Sequence, residues 1–169
     1  MSWQDYVDNF LVNHTNPNTG KSAYNICQHG AIVGNQDGTV WAATAGFTFD
    51  KYSIDLEDDQ GNLAKVEIDE FASLKQAFDN NGVSSMRGGI RINKEKYFIV
   101  SYDSERQVLY LKKNGGGAAV AKSNLGFVIG TFSSSLKSKN YDGVDQPQNP
   151  GLVNFAVEEL QKFLTENSL

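Results

Sequence analysis

The chain has a single cysteine, Cys27, and only two histidines, His14 and His29. A lone thiol closes no intramolecular bridge, so the fold must rest on a hydrophobic core, and the chemistry suits a reducing, cytosolic setting. At 169 residues such a core is available, since one domain of this length buries roughly two-thirds of the surface its unfolded chain exposes. No apolar run approaches the roughly 20 residues a membrane-spanning helix needs. A secretory leader is not expected either, because MSWQDYVDNF carries two aspartates where a leader has a basic region and an unbroken apolar stretch. Basic residues are the minority, 15 against 20 acidic, for a net charge of −5. That balance argues against a partner held mainly through nucleic-acid phosphates. Local basic patches remain at Lys94, Lys96, Lys112 and Lys113, and at Lys137 and Lys139. Internal repeats and long low-complexity tracts are absent.

Catalytic constellations are equally scarce. Cys27 and His29 would share a face if both lay on one strand, yet no third group is there to orient them and no metal-ligand spacing exists. A small buried thiol beside a partly exposed imidazole is the better account, and His14 falls in a stretch that reads as a loop. Gly115-Gly116-Gly117 is flanked by strand patterns rather than by a strand and a helix, so it reads as a flexible turn and not as a phosphate cradle. Glu57, Asp58 and Asp59 lack the spacing of a calcium loop and read as a solvated turn. No catalytic residue, cofactor or metal is assigned.

What is present is a clear alternation of periods. Trp3, Tyr6, Val7, Phe10 and Leu11 fall on one face of a helix that Ser2 can cap, with Asp5, Asn9 and Asn13 outward. Residues 13–22 read as a loop. Two strands follow, joined at Asn35 to Gly38, where Asp37-Gly38 supplies the positive φ of a tight turn. Residues 50–67 read as a hairpin with an acidic tip. IDEFASLKQAFDNN then reads as a helix, with Ile68, Phe71, Leu74, Ala77 and Phe78 inward, Asp69 and Glu70 favouring its start, and Gly82 stopping it. From Met86 to Phe132 the period is two, implying about four antiparallel strands. Residues 133–151 are too polar to pack and read as a mobile loop. A last helix carries Val153, Phe155, Ala156, Val157, Leu160, Phe163 and Leu164. The sum is an α+β domain, an antiparallel sheet with helices on its faces.

Four ordered blocks resemble the profilin family: MSWQDYVD, GAIVGNQDGTVWA, the run from GIRINKEKYFIV to GGGAAVAKSNLGFVIGTF, and VNFAVEELQKFL. The first two are closest in look to plant and amoeboid members. Two segments depart, the hairpin of about 50–67, which is similar to arms in alveolate members, and the long loop of about 133–151. The resemblance implies one domain over 1–169, with the N- and C-terminal helices on one sheet face, a further helix on the other, and the inserted hairpin.

It also implies a cytoplasmic, cytoskeleton-associated monomer that is not an enzyme. Its partners would be monomeric actin on one surface and proline-rich proteins such as formins on another. A polyproline segment docks on flat rings that carry hydrogen-bond donors, and the resemblance assigns Trp3, Tyr6, Trp41 and Phe163 to that cleft. Phe163 stands where many relatives have tyrosine, and Leu169 replaces a common aromatic, so weaker proline binding is expected. For actin it assigns Lys96, Lys113, Asn154 and Glu158, with Lys112 added as partial compensation for charge missing nearby. Ser101 and Leu111 fall where some relatives carry arginine, and the long loop is expected near this surface. Phosphoinositide binding, a family property, is doubtful on the acidic balance, and no nucleic acid or membrane insertion is expected. The alternatives are a divergent member that mainly sequesters actin or serves as a proline-segment adaptor, and, in another class, a thiol-dependent domain using Cys27 and His29.

Overall fold

The computed structural model describes residues 1–169. A seven-stranded antiparallel sheet forms its centre. Its strands are β3 (His29–Gly34), β4 (Val40–Ala43), β7 (Ile90–Ile92), β8 (Glu95–Asp103), β9 (Val108–Lys113), β10 (Gly116–Lys122) and β11 (Gly126–Ser133), in the order β4-β3-β11-β10-β9-β8-β7. Five strands therefore fill the stretch that the sequence divides into four, because Ile90–Ile92 pairs with Glu95–Tyr97 across a tight turn at Asn93 and Lys94, both at positive φ.

The N-terminal helix α1 (Trp3–Tyr6) and the C-terminal helix α3 (Pro150–Glu166) cover one sheet face. Ser2 caps α1 through a reciprocal capping box, its Oγ accepting from the Asp5 N–H at 3.2 Å while Asp5 Oδ2 accepts from the Ser2 N–H at 2.9 Å. Asn149 caps α3, with Pro150 in its first turn. Helix α2 (Glu70–Asp79) covers the other face. Its start is Asp69, whose carboxylate accepts from the Ala72 N–H at 3.0 Å. Ile68, expected inside the helix, is instead the penultimate residue of a strand.

Beyond Tyr6 the first helix widens into a π-helical segment, Val7–Val12, closed by the Asn13 N–H on the Asp8 carbonyl at 3.1 Å. An extra residue per turn displaces later side chains around the axis. Val7 and Leu11 stay fully buried while Phe10 moves to the edge, half-buried.

Helix and sheet meet through glycines. On the helix-covered face Gly30 stands directly opposite Gly130, and Gly34 opposite Gly126. A Cβ on Gly30 would lie 2.8 Å from the Leu11 Cβ, and one on Gly130 would lie 2.7 Å from Val157 Cγ2. One on Gly34 would lie 2.9 Å from the Trp41 ring. The bare backbone seats the π segment, α3 and Trp41 against the sheet.

The inserted hairpin is β5 (Lys51–Glu57) with β6 (Leu63–Asp69). Buried Glu70 anchors it, accepting from the Tyr52 hydroxyl (2.7 Å), the Asp50 N–H (3.0 Å) and the Lys94 N–H (2.8 Å). Burial pushes this carboxyl up, and the three donors pull against it.

Two segments read as loops are structured. Within 13–22, β1 (His14–Thr15) pairs with β2 (Ser22–Ala23). Within 133–151, Ser133 ends β11, and β12 (Lys137–Lys139) pairs with β13 (Asp145–Pro147). A bridge from Lys139 to Tyr24 joins the two small hairpins. Gln148, 1% exposed, accepts from the Ser133 N–H and donates to the Asn25 carbonyl. The segment is ordered by polar contacts, which apolar content does not register.

Candidate binding surfaces

Four side chains that the sequence singles out converge at one end of the helix-covered face. Trp3 and Tyr6 stand one turn apart on α1, their ring centroids 5.7 Å apart and nearly perpendicular. Trp41, from β4, lies over Gly34 and Gly126 with its ring 4.9 Å from Trp3. Phe163, from α3, closes against Tyr6 at 5.3 Å. Trp41 is 36% exposed and the other three are half-buried. The indole N–H groups of Trp3 and Trp41 and the Tyr6 hydroxyl have no partner within the chain, and those of Trp3 and Tyr6 are not buried. Exposed rings with unspent donors suit a ligand that offers carbonyls and flat apolar faces. Leu169 packs against the α3-side core, pinned by the Leu125 N–H on its carbonyl at 2.6 Å, and adds no ring.

The aromatic row continues beyond these four. Phe10 lies 5.3 Å from Phe163, and His14 stacks on Phe10 at 5.2 Å. His14 is buried and shares a 2.6 Å hydrogen bond with the Tyr141 hydroxyl. Burial holds its imidazole below the usual range, and Glu159 partly opposes this. The α-helical period places Phe10 in the core, and the loop reading of residues 13–22 gives His14 no role. The signal that could find them is the summed aromatic content of Phe10, His14, Tyr141 and Phe155 in segments that the fold joins.

The residues proposed for actin divide between two sheet faces. Lys96 and Lys112 are exposed on the helix-covered side, where Phe98 pairs with Lys112 and lies under the Lys96 ammonium at 5.2 Å. Asn154 and Glu158 are on α3 beside them. Glu158 Oε1 accepts from Arg106 Nη1 at 3.2 Å and from the Tyr110 hydroxyl at 3.1 Å. Lys113 points the other way, since successive strand residues alternate. It pairs with Glu95 at 3.4 Å, over the Tyr97 ring of the α2-side core. Leu111 is on that side too, 4% exposed, so it is a core residue and no missing surface charge. Exposed Phe98 (57%) and Val100 (58%), and Arg106, are the residues sequence reasoning passes over. An apolar residue alternating with lysine on an otherwise regular strand is the trace that Phe98 leaves.

Cys27 lies just before β3 and packs into the α3-side core, where burial pushes its thiol up. His29, in phase with Ala31 and Val33, looks to the α2 side, so the two form no nucleophile and base pair. No group of three or more His, Cys, Asp or Glu side chains converges on a metal-sized site. No helix is long and apolar enough to cross a membrane.

The profilin family model matches residues 1–169. A profilin of Tetrahymena pyriformis is 40% identical over 167 residues, covering 97% of this chain and 96% of its own. The structure of Acanthamoeba castellanii profilin IB is 26% identical with a TM-score of 0.63, covering 99% of this chain and all of that one. Mouse profilin IIa, solved in complex with a double repeat from the FH1 domain of mDia1, shares the fold at 20% identity and a TM-score of 0.54, over the whole of both chains.

Proposed function

Because the chain belongs to the profilin family, we propose that it binds monomeric actin and proline-rich segments such as those of formins, and so regulates filament assembly. It does so in the cytoplasm and without catalysis. The observation that carries this reading is the strip Trp41, Trp3, Tyr6 and Phe163, with three donors that have no partner within the chain. A polyproline helix exposes its carbonyls and loses little entropy on docking, which is the ligand such a strip fits.

Actin is assigned to the face of Lys96, Phe98, Lys112, Asn154 and Glu158. Lys96 and Lys112 supply unpaired positive charge around apolar Phe98, and Lys113 contributes at most from the rim. Strand β4 and strand β8 are five steps apart in the sheet, roughly 24 Å at the usual strand spacing. Both ligands then fit at once, and each tethers the other.

Titrating decaproline while following tryptophan fluorescence tests the proline half. The wild type responds, and Trp3→Ala binds at least about tenfold more weakly, as expected for a central aromatic anchor. An unresponsive wild type at millimolar peptide sinks it. Elongation of pyrene-labelled actin, with and without a formin, tests the actin half: a protein that leaves monomer availability unchanged is not this one.

A further inference from the structure

We propose that the cleft at the Phe10 end of the aromatic strip receives a lysine or arginine flanking the proline run, so that ligands are read as proline plus one cationic neighbour. This rests on the proline reading above.

The rings form one continuous row, Trp41, Trp3, Tyr6, Phe163 and Phe10, with neighbouring centroids 4.9 to 5.7 Å apart. A polyproline helix rises about 3.1 Å per residue, so about two residues carry the ligand from Phe163 past Phe10. There the surface opens into a cleft of about 540 Å³ between the π segment, the β1–β2 hairpin and α3. Its floor is Phe10 and Phe163, and its α3 wall carries Glu159, Lys162 and Glu166. Glu159, Phe163 and Glu166 recur at helical spacing and share one face. Two carboxylates therefore flank the ring on which the proline run ends.

Neither carboxylate makes an ion pair within the chain, and Glu159 is half-buried without a hydrogen-bond partner. The facing wall offers no charged side chain, only the Asn9 and Asn13 amides, the Thr15, Ser22 and Tyr24 hydroxyls, and His14, which burial keeps toward its neutral form. Lys162 is the one cation, so the cleft is net negative. An apolar floor under an acidic rim fits a long cationic side chain, its stem on the ring and its head at the carboxylates. An acidic or purely apolar flank leaves Glu159 without a partner.

The test uses decaproline carrying two lysines, or two glutamates, at either end. Both tryptophans lie at the far end of the strip, so their fluorescence reports the proline run and not the flank. The wild type at low ionic strength binds one lysine-flanked peptide roughly three- to fivefold tighter than its glutamate counterpart, the scale of a partly exposed ion pair. Glu159→Gln, and independently Glu166→Gln, brings that ratio toward one while decaproline affinity stays within about twofold. Glu57→Gln, the same change of charge on the distant inserted hairpin, leaves the ratio intact. Equal binding of both peptides by the wild type overturns the proposal, as does a ratio that falls as far in Glu57→Gln as in Glu159→Gln. Decaproline that fails to bind at all overturns the proline reading itself and this inference with it.

Discussion

Phe163 stacks on Tyr6 and Phe10 but brings no hydroxyl. Phe163→Tyr adds a donor to the strip, and decaproline should bind roughly fivefold tighter, the worth of one added hydrogen bond of about 1 kcal/mol. Calorimetric titration checks it, and an unchanged affinity would place the ligand away from this ring. His14 gives a different prediction. Burial holds its folded pKa below the ordinary imidazole value of about 6.5, so the unfolded chain takes up the proton first as pH falls. The stability this group contributes is complete above about pH 6.5 and is lost as pH drops from there toward the folded value. His29 is shifted the same way, by burial and then by Lys113. The melting temperature should therefore fall between about pH 7.5 and pH 5.5, and His14→Phe should flatten part of that fall; identical slopes would exonerate His14. Trp3, Tyr6, Trp41 and Phe163 were legible at this scale because residue type and motif place them. Phe10 was not, because a helical period assumes a regular helix and the π segment breaks it, and His14 was not, because its stretch reads as a loop.

Elements were legible wherever period and turn chemistry agree. Asp37-Gly38 marks the β3–β4 turn, the alternating stretch yields β8 to β11, and α3 follows its apolar stripe. Segment 133–151 was not, since Gln148 and Asn25 hold it through backbone groups. The elements are joined most tightly where the β3 and β11 glycines face the helices. Gly130→Ala sets a methyl 2.7 Å from Val157 Cγ2 and 3.1 Å from Cys27 Sγ. It should cost about 1–3 kcal/mol, as overpacking of a filled core does, read from the midpoint of urea unfolding. A midpoint equal to that of the wild type would mean that α3 rides higher on the sheet than its contacts indicate.

Across the whole molecule the width of the sheet, from β4 to β8, sets two surfaces apart, and a charge change on one should leave the other alone. Lys112→Glu is expected to weaken actin binding on the order of tenfold, by reversing a charge in a steered contact, with decaproline binding unaltered in the same preparation. A parallel loss of both would merge the surfaces into one. Lys113 belongs to neither in the way its neighbour does, and strand alternation, once the register is known, is what separates them. The seat of the aromatic strip has a further consequence. Trp41, Leu11 and Val157 rest on four glycines that present only backbone. Alanine scanning reads a site by deleting atoms, and at these positions alanine adds one instead. A scan would read the rings as lost contact and these four positions as overpacking, and natural variation there can damage the site only by adding bulk.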